Sequence, residues 1–172
     1  MKLGILSHTH NNIGNLQKAL DLFEKQEVDT VIHCGDLTRV EVAFHLAGWA
    51  GQAGCKRVIC AFGNGDIASG EMRSILLAQN PENYAGLVFT GEVDGVKIAA
   101  AHGHQPGVLE ELVRSGQYSY VFKGHSHTHK EERIGPTRLI NPGALGGMHR
   151  EPRQVCVLDL ESGKAKFEIV AV

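Results

Sequence analysis

Five short polar clusters, each placed where an apolar run stops, constrain this chain more than any other feature. They are Ser7-His8-Thr9-His10, Gly35-Asp36, Gly63-Asn64-Gly65-Asp66, His102-Gly103-His104 and Gly124-His125-Ser126-His127. The runs before them, Lys2 to Leu6, Thr30 to His33, Arg57 to Ala61, Val96 to Ala101 and Tyr120 to Lys123, have the length and apolar make-up of buried strands. Between the first three runs, Ile13 to Gln26 carries Ile13, Leu16, Ala19, Leu20 and Phe23 at helical spacing, and a second helix is predicted over about Glu41 to Ala50. Strand and helix alternate, which indicates a parallel sheet.

The second half changes character. Leu87 to Thr90 and Gly91 to Val93 read as strand, Asp94-Gly95 is a hairpin turn, and Val96 to Ala101 returns. Pro106 to Ser115 reads as a short helix, Ile67 to Tyr84 as loop, and the remainder as strands joined at Gly135-Pro136, Pro142-Gly143 and Ser162-Gly163. The predicted class is α/β: a four-layer αββα sandwich of two mixed β-sheets flanked by helices, in one domain spanning residues 1–172. At 172 residues there is room for one sizeable core, and two domains would be cramped.

Ten histidines are present, and eight of them fall at or near predicted strand ends in short groups. An affinity tag would form one terminal run; a metal site would draw on several groups, as here. The four cysteines, Cys34, Cys55, Cys60 and Cys156, include no CxxC pair and read as reduced, mostly buried thiols. A formal net charge of −2 gives no sign of general nucleic-acid binding. The apolar start, Met1 to Leu6, is too short for a signal peptide or a membrane span, so a cytoplasmic location and no membrane partner are expected.

In open α/β sheets, ligands bind beyond the carboxyl ends of the strands, so the five clusters can meet in one crevice. They offer imidazoles, carboxylate and amide oxygen, a mixture suited to zinc, iron, manganese or nickel rather than calcium. In extended backbone, residues i and i+2 point to one side, which pairs His8 with His10, His102 with His104, and His125 with His127. Two cations held close together need a bridging anion, and Asp36, preceded by a glycine, is the candidate. Other polar residues read more simply. Asp66 is expected to fix its loop by hydrogen bonds and His33 to be a core histidine. His45 and His149 are not expected to be ligands, and His129 is expected at the surface or rim. Lys130 and Arg133 read as a solvated strand face, and Trp49 as a packing or oligomer-contact residue.

The five clusters in this order resemble the calcineurin-like metallophosphoesterases, in particular their small single-domain prokaryotic phosphodiesterase branch. That family's pattern is Asp-x-His, Gly-Asp, Gly-Asn-x-Asp/Glu, His, and Gly-His-x-His. The resemblance extends through the Asn141-Pro142-Gly143 turn and covers nearly the whole chain. It implies two divalent metal ions, one held by position 8, His10, Asp36 and His127, the other by Asp36, Asn64, His102 and His125. A hydroxide between the two ions would then attack a small phosphodiester substrate. A homodimer is consistent with what the chain resembles.

Two positions depart from the pattern. Position 8 is His8 rather than Asp, which removes one negative charge and predicts looser binding of the first ion or a preference for metals softer than manganese. Gly65 stands where many relatives place a histidine acid, leaving His104 as the candidate proton donor or phosphate contact, with Asp36 and Asn64 completing the catalytic set. The alternative function is a metal-poor or inactive scaffold of the same fold that binds a protein partner, as in the small retromer subunit. Retention of a good ligand type at position 8 favours the enzyme.

Overall fold

The computed structural model describes residues 1–172. The elements run β1 (Lys2–Leu6), α1 (Ile13–Lys25), β2 (Thr30–His33), α2 (Val40–Ala53), β3 (Arg57–Ala61), α3 (Ser69–Gln79), β4 (Tyr84–Gly86), β5 (Val88–Val93) and β6 (Val96–Ala101). There follow α4 (Pro106–Arg114), β7 (Tyr120–Phe122), β8 (Lys130–Ile134), β9 (Thr137–Asn141), β10 (Arg153–Asp159) and β11 (Ala165–Ala171). One sheet has the order β11-β10-β1-β2-β3-β4 and the other β5-β6-β7-β9-β8. Both are mixed: β1 to β4 are parallel, β10 pairs antiparallel with both β1 and β11, and β6, β7 and β9 are parallel between antiparallel β5 and β8.

Alternation of side chains along β1 shows how the layers form. Leu3 and Ile5 face the second sheet, packing with Ile32, Ile59, Ile98, Phe122 and Ile140. Leu6 faces the other way, toward Leu16, Leu20 and Phe23 of α1 and Leu46 of α2. At Gly4 a Cβ would lie 2.8 Å from the Phe23 ring, so glycine lets α1 sit flat on the sheet. Ala99, Ala101 and Val121 face outward from the second sheet beneath Leu112 and Val113 of α4. The order is therefore helix, sheet, sheet, helix, the predicted four-layer sandwich.

Asn12 caps α1 by accepting from the Asn15 N–H at 2.9 Å, and Gly54, at φ 69°, ends α2. The segment read as loop over Ile67 to Tyr84 contains α3 and the start of β4. Met72 and Leu76 are the only fully buried positions of α3, and Ala68 offers no side-chain cap, so start signal and apolar stripe are both weak. The Asp94-Gly95 turn has both residues at positive φ, as a two-residue hairpin requires. No helix is long and apolar enough to cross a membrane.

The β1–β2 ladder does not stop with the strands. Cys34 N–H donates to Leu6 O, His8 N–H to Gly35 O, His10 N–H to Asp36 O and Asn11 N–H to Leu37 O, at 2.8–3.2 Å. On the other flank, Leu145 N–H donates to Ser7 O and Gly146 N–H to His8 O. The first two polar clusters are thus one backbone-bonded unit at the carboxyl edge of the sheet.

Candidate metal centre

Asp36 lies at the middle of this edge, 6% exposed. Its Oδ1 accepts the Gly65 N–H at 2.9 Å and stands 3.6 Å from His102 Nε2. Its Oδ2 is 3.4 Å from His8 Nδ1 and 3.9 Å from His10 Nε2, and those two nitrogens are 3.1 Å apart. Tetrahedral bonds of about 2.1 Å put neighbouring donor atoms about 3.4 Å apart, so this spacing suits one shared cation. His8, His10 and His127 bring a donor atom each within 4.8 Å of one another, as do His8, Asp36 and His102. His8 is the member common to both groups and is 1% exposed, with its ring centroid 3.9 Å from that of His127 and 4.9 Å from that of His102.

The loops reach this arrangement by a route the i, i+2 argument did not anticipate. His8 (φ 52°), His10 (φ 44°), Asp36 (φ 59°), His125 (φ 65°) and His127 (φ 56°) are all left-handed rather than extended. Such backbone costs of order 1 kcal/mol or more per non-glycine residue and survives where the surroundings over-determine it. Gly35, at φ 92°, has no alternative: a Cβ there would lie 2.6 Å from His102 Nδ1 and 2.7 Å from Gly63 N. Asp66 accepts from Asp36 N–H (2.9 Å), Thr38 N–H (2.9 Å) and Gly63 N–H (2.7 Å), joining the second and third clusters. It is the structural residue the sequence suggested. Asn141 Nδ2 donates to Gly124 O and Ser126 Oγ, both at 2.9 Å, and so pins the last cluster from β9.

The donors are in the right electronic state for a cation. His102 Nδ1 lies 2.7 Å from Cys34 O, so this nitrogen carries the proton and Nε2 presents its lone pair toward Asp36. His8 Nε2, His102 Nε2, His104 Nδ1 and His127 Nδ1 are buried with no hydrogen-bond partner. Orphaned nitrogens at this density are costly unless a further group satisfies them, and the donor set fits divalent transition metals. Burial, then the neighbouring His8, lowers His10. Burial lowers His102 and His127 each to about 4. Burial alone would raise Asp36, but the His8 contact, the Gly65 N–H and nearby His102 hold it far below the usual carboxylate range.

His33 lies beneath the site as a core histidine: Gly35 N–H donates to its Nδ1 at 3.1 Å, and its Nε2–H donates to Thr9 Oγ1 at 2.8 Å. Burial pushes it down to about 3. Because His33 and His102 have folded pKa values below the unfolded value, their contribution is complete above about pH 6.5 and is lost as pH falls toward 4. Each can forfeit about 3 kcal/mol, while Asp66, raised by burial, acts in the opposite direction. We expect the urea midpoint of chelator-treated protein to fall clearly between pH 7.5 and pH 5.

The remaining predicted site residues line the rim. Asn64 and His125 are exposed, with the His125 ring centroid 5.2 Å from that of His102. His104 is half-buried, its ring 5.5 Å from His102. His8, His10, Asp36, His102 and His127 therefore converge tightly, whereas Asn64, His104 and His125 stand around them. His149, not expected to be a ligand, packs its ring 4.9 Å from His127, in a segment whose carbonyls at Gly147 and His149 accept from Arg153 at 2.9 and 2.7 Å. No motif in the sequence marks it.

The profile of the calcineurin-like phosphoesterase superfamily domain matches residues 1–163. A phosphodiesterase of Methanocaldococcus jannaschii is 34% identical over 170 residues, 99% of each chain. The solved structure of an archaeal phosphodiesterase superposes with a TM-score of 0.90 at 31% identity, covering 98% of this chain and 99% of that one. Vacuolar protein sorting 29 of Cryptosporidium parvum shares the fold, with a TM-score of 0.66 at 17% identity over 98% of this chain and 95% of that one.

Proposed function

Because this chain belongs to the calcineurin-like phosphoesterase superfamily, we propose that it hydrolyses phosphodiesters at a pair of divalent cations gathered around Asp36. The observation that carries this reading is the set of buried, unpartnered imidazole nitrogens of His8, His102 and His127 beside one buried carboxylate. His8, His10, Asp36 and His127 would hold one cation, and Asp36, Asn64, His102 and His125 the other. When bound, such ions lower the pKa of water and offset charge on phosphoryl oxygens.

The chain's own residues set the rest. Asp36 supplies the shared negative charge, and the Gly65 N–H fixes which oxygen faces which group. The Cys34 carbonyl keeps the proton on His102 Nδ1. Low imidazole pKa values leave His102 and His127 neutral, as ligation requires. Gly65 brings no acid to the leaving-group side, so His104, half-buried beside His102, would hand a proton to the departing oxygen.

His8 also bears on metal choice. An imidazole in place of a carboxylate reduces the negative charge around hard cations and keeps affinity for zinc, iron or nickel. Activity toward bis(p-nitrophenyl) phosphate is expected to disappear on chelation and to return best with one of those metals rather than manganese. His8→Asp should raise manganese affinity by about tenfold, read by calorimetry and metal content. A well-folded protein with no turnover under any of these metals would reject the enzyme reading. Two tightly bound manganese ions in the unaltered chain would reject the role given to His8.

A further inference from the structure

Beyond the cation site, one groove stands out by its position. A helix about 10 Å across cannot cover five strands spaced about 4.8 Å apart. Accordingly α4 packs over β6 and β7 and leaves the outer face of β9 and β8 open. The space between is a groove of about 470 Å³ with an apolar floor of Leu109, Val113, Ile134 and Leu139. Its size falls in the range of small-ligand pockets.

One end of the groove adjoins the candidate centre through Gly103. Gly103, at its upper end, lies between His102 and His104. A Cβ at Gly103 would be 3.6 Å from His125 Cβ and 3.9 Å from Leu109 Cδ2, so groove floor and ligand loop meet there. Charge at this junction is uneven. Arg114, farther along, is paired with Glu110 at 2.8 Å. Glu132 is paired with Lys130, also at 2.8 Å. Lys123, one residue before the Gly124-His125 cluster, lines the groove and makes no ion pair within 4.0 Å. An apolar trough with an unbridged lysine at the end nearest the ligand loops suits a ligand that is anionic at one end and apolar along its length.

We propose that this groove binds one ester arm of the substrate, an extended alkyl chain lying on Leu109, Leu139 and, four strand residues from the ligand loops, Ile134, with Lys123 facing the phosphate charge. The proposal rests on the phosphodiesterase reading and narrows its substrates to diesters with a bulky apolar arm. Such a substrate gains apolar burial that a dimethyl ester cannot.

Two measurements test it. In methyl-resolved NMR, octyl methyl phosphate should shift the Leu109, Ile134 and Leu139 methyl signals, while dimethyl phosphate leaves them in place. Ile134→Asp, at a half-exposed strand end, should raise KM for octyl p-nitrophenyl phosphate by about tenfold with kcat little changed, the scale of a lost apolar contact in a pocket. Ile134→Val should retain the original KM, which separates groove contact from a folding defect. Turnover of octyl p-nitrophenyl phosphate with unmoved groove methyls and an unchanged KM in Ile134→Asp would overturn the subsite. Shifted groove methyls without turnover under any metal would support the subsite and reject the enzyme reading instead.

Discussion

Asp36→Asn is expected to lower phosphodiester turnover by about a thousandfold or more, roughly 4 kcal/mol of transition-state stabilisation. The substitution changes little in shape. An amide oxygen can still accept the Gly65 N–H that Asp36 Oδ1 accepts at 2.9 Å, so the loop keeps its bond. What goes is the charge. Asp36 is the carboxylate close to His8, His10 and His102 together, and both proposed cation positions use it. Calorimetric titration should show loss of at least one of the two binding events, while the chelated variant still unfolds cooperatively in urea. Full activity and unchanged metal stoichiometry in Asp36→Asn would contradict the arrangement proposed around it.

Asp66→Ala is expected to act through the opposite channel, stability before chemistry. Three backbone N–H groups, of Asp36, Thr38 and Gly63, lose their acceptor at once. Leaving a buried donor unpaired costs about 1–3 kcal/mol, so three such losses total roughly 3–9 kcal/mol, a large share of a domain's stability. The urea midpoint should therefore fall even in chelated protein, where no ligand role can contribute. A midpoint unchanged in the chelated state, with metal binding lost, would make Asp66 a ligand rather than a brace.

Much of this was legible in the chain because strand termini and chemistry coincide. A run such as Lys2 to Leu6 is readable by its apolar content, and the polar residues after it can only lie at the sheet edge. The structure brings the side chains of His8, His10, Asp36, His102 and His127 together at that edge. The backbone conformation was not legible. Left-handed φ at His8, His10, His125 and His127 is imposed by contacts with other loops, and the enrichment of histidine in that region is too weak to signal it. Helix α3 escaped notice because only Met72 and Leu76 are fully buried and nothing caps its start. β4, at three residues, is too short to carry a pattern. The position of His149 depends on Arg153 holding the preceding carbonyls, a tertiary event with no local spelling. The groove beside α4 is likewise invisible in sequence, since it arises from the mismatch between one helix and five strands.

The backbone rungs that continue from β1 and β2 into the ligand loops bear on how fast ions come and go. With His8, His10 and Asn11 tied to Gly35, Asp36 and Leu37, the inner donors cannot swing outward one at a time. Asn64 and His125 are the exposed members of the set, so a cation arriving from solvent would meet them before the buried nitrogens. Loading and leakage would then follow water exchange at that lip, with the intrinsic lability of each metal's aqua ion as the clock for assembly.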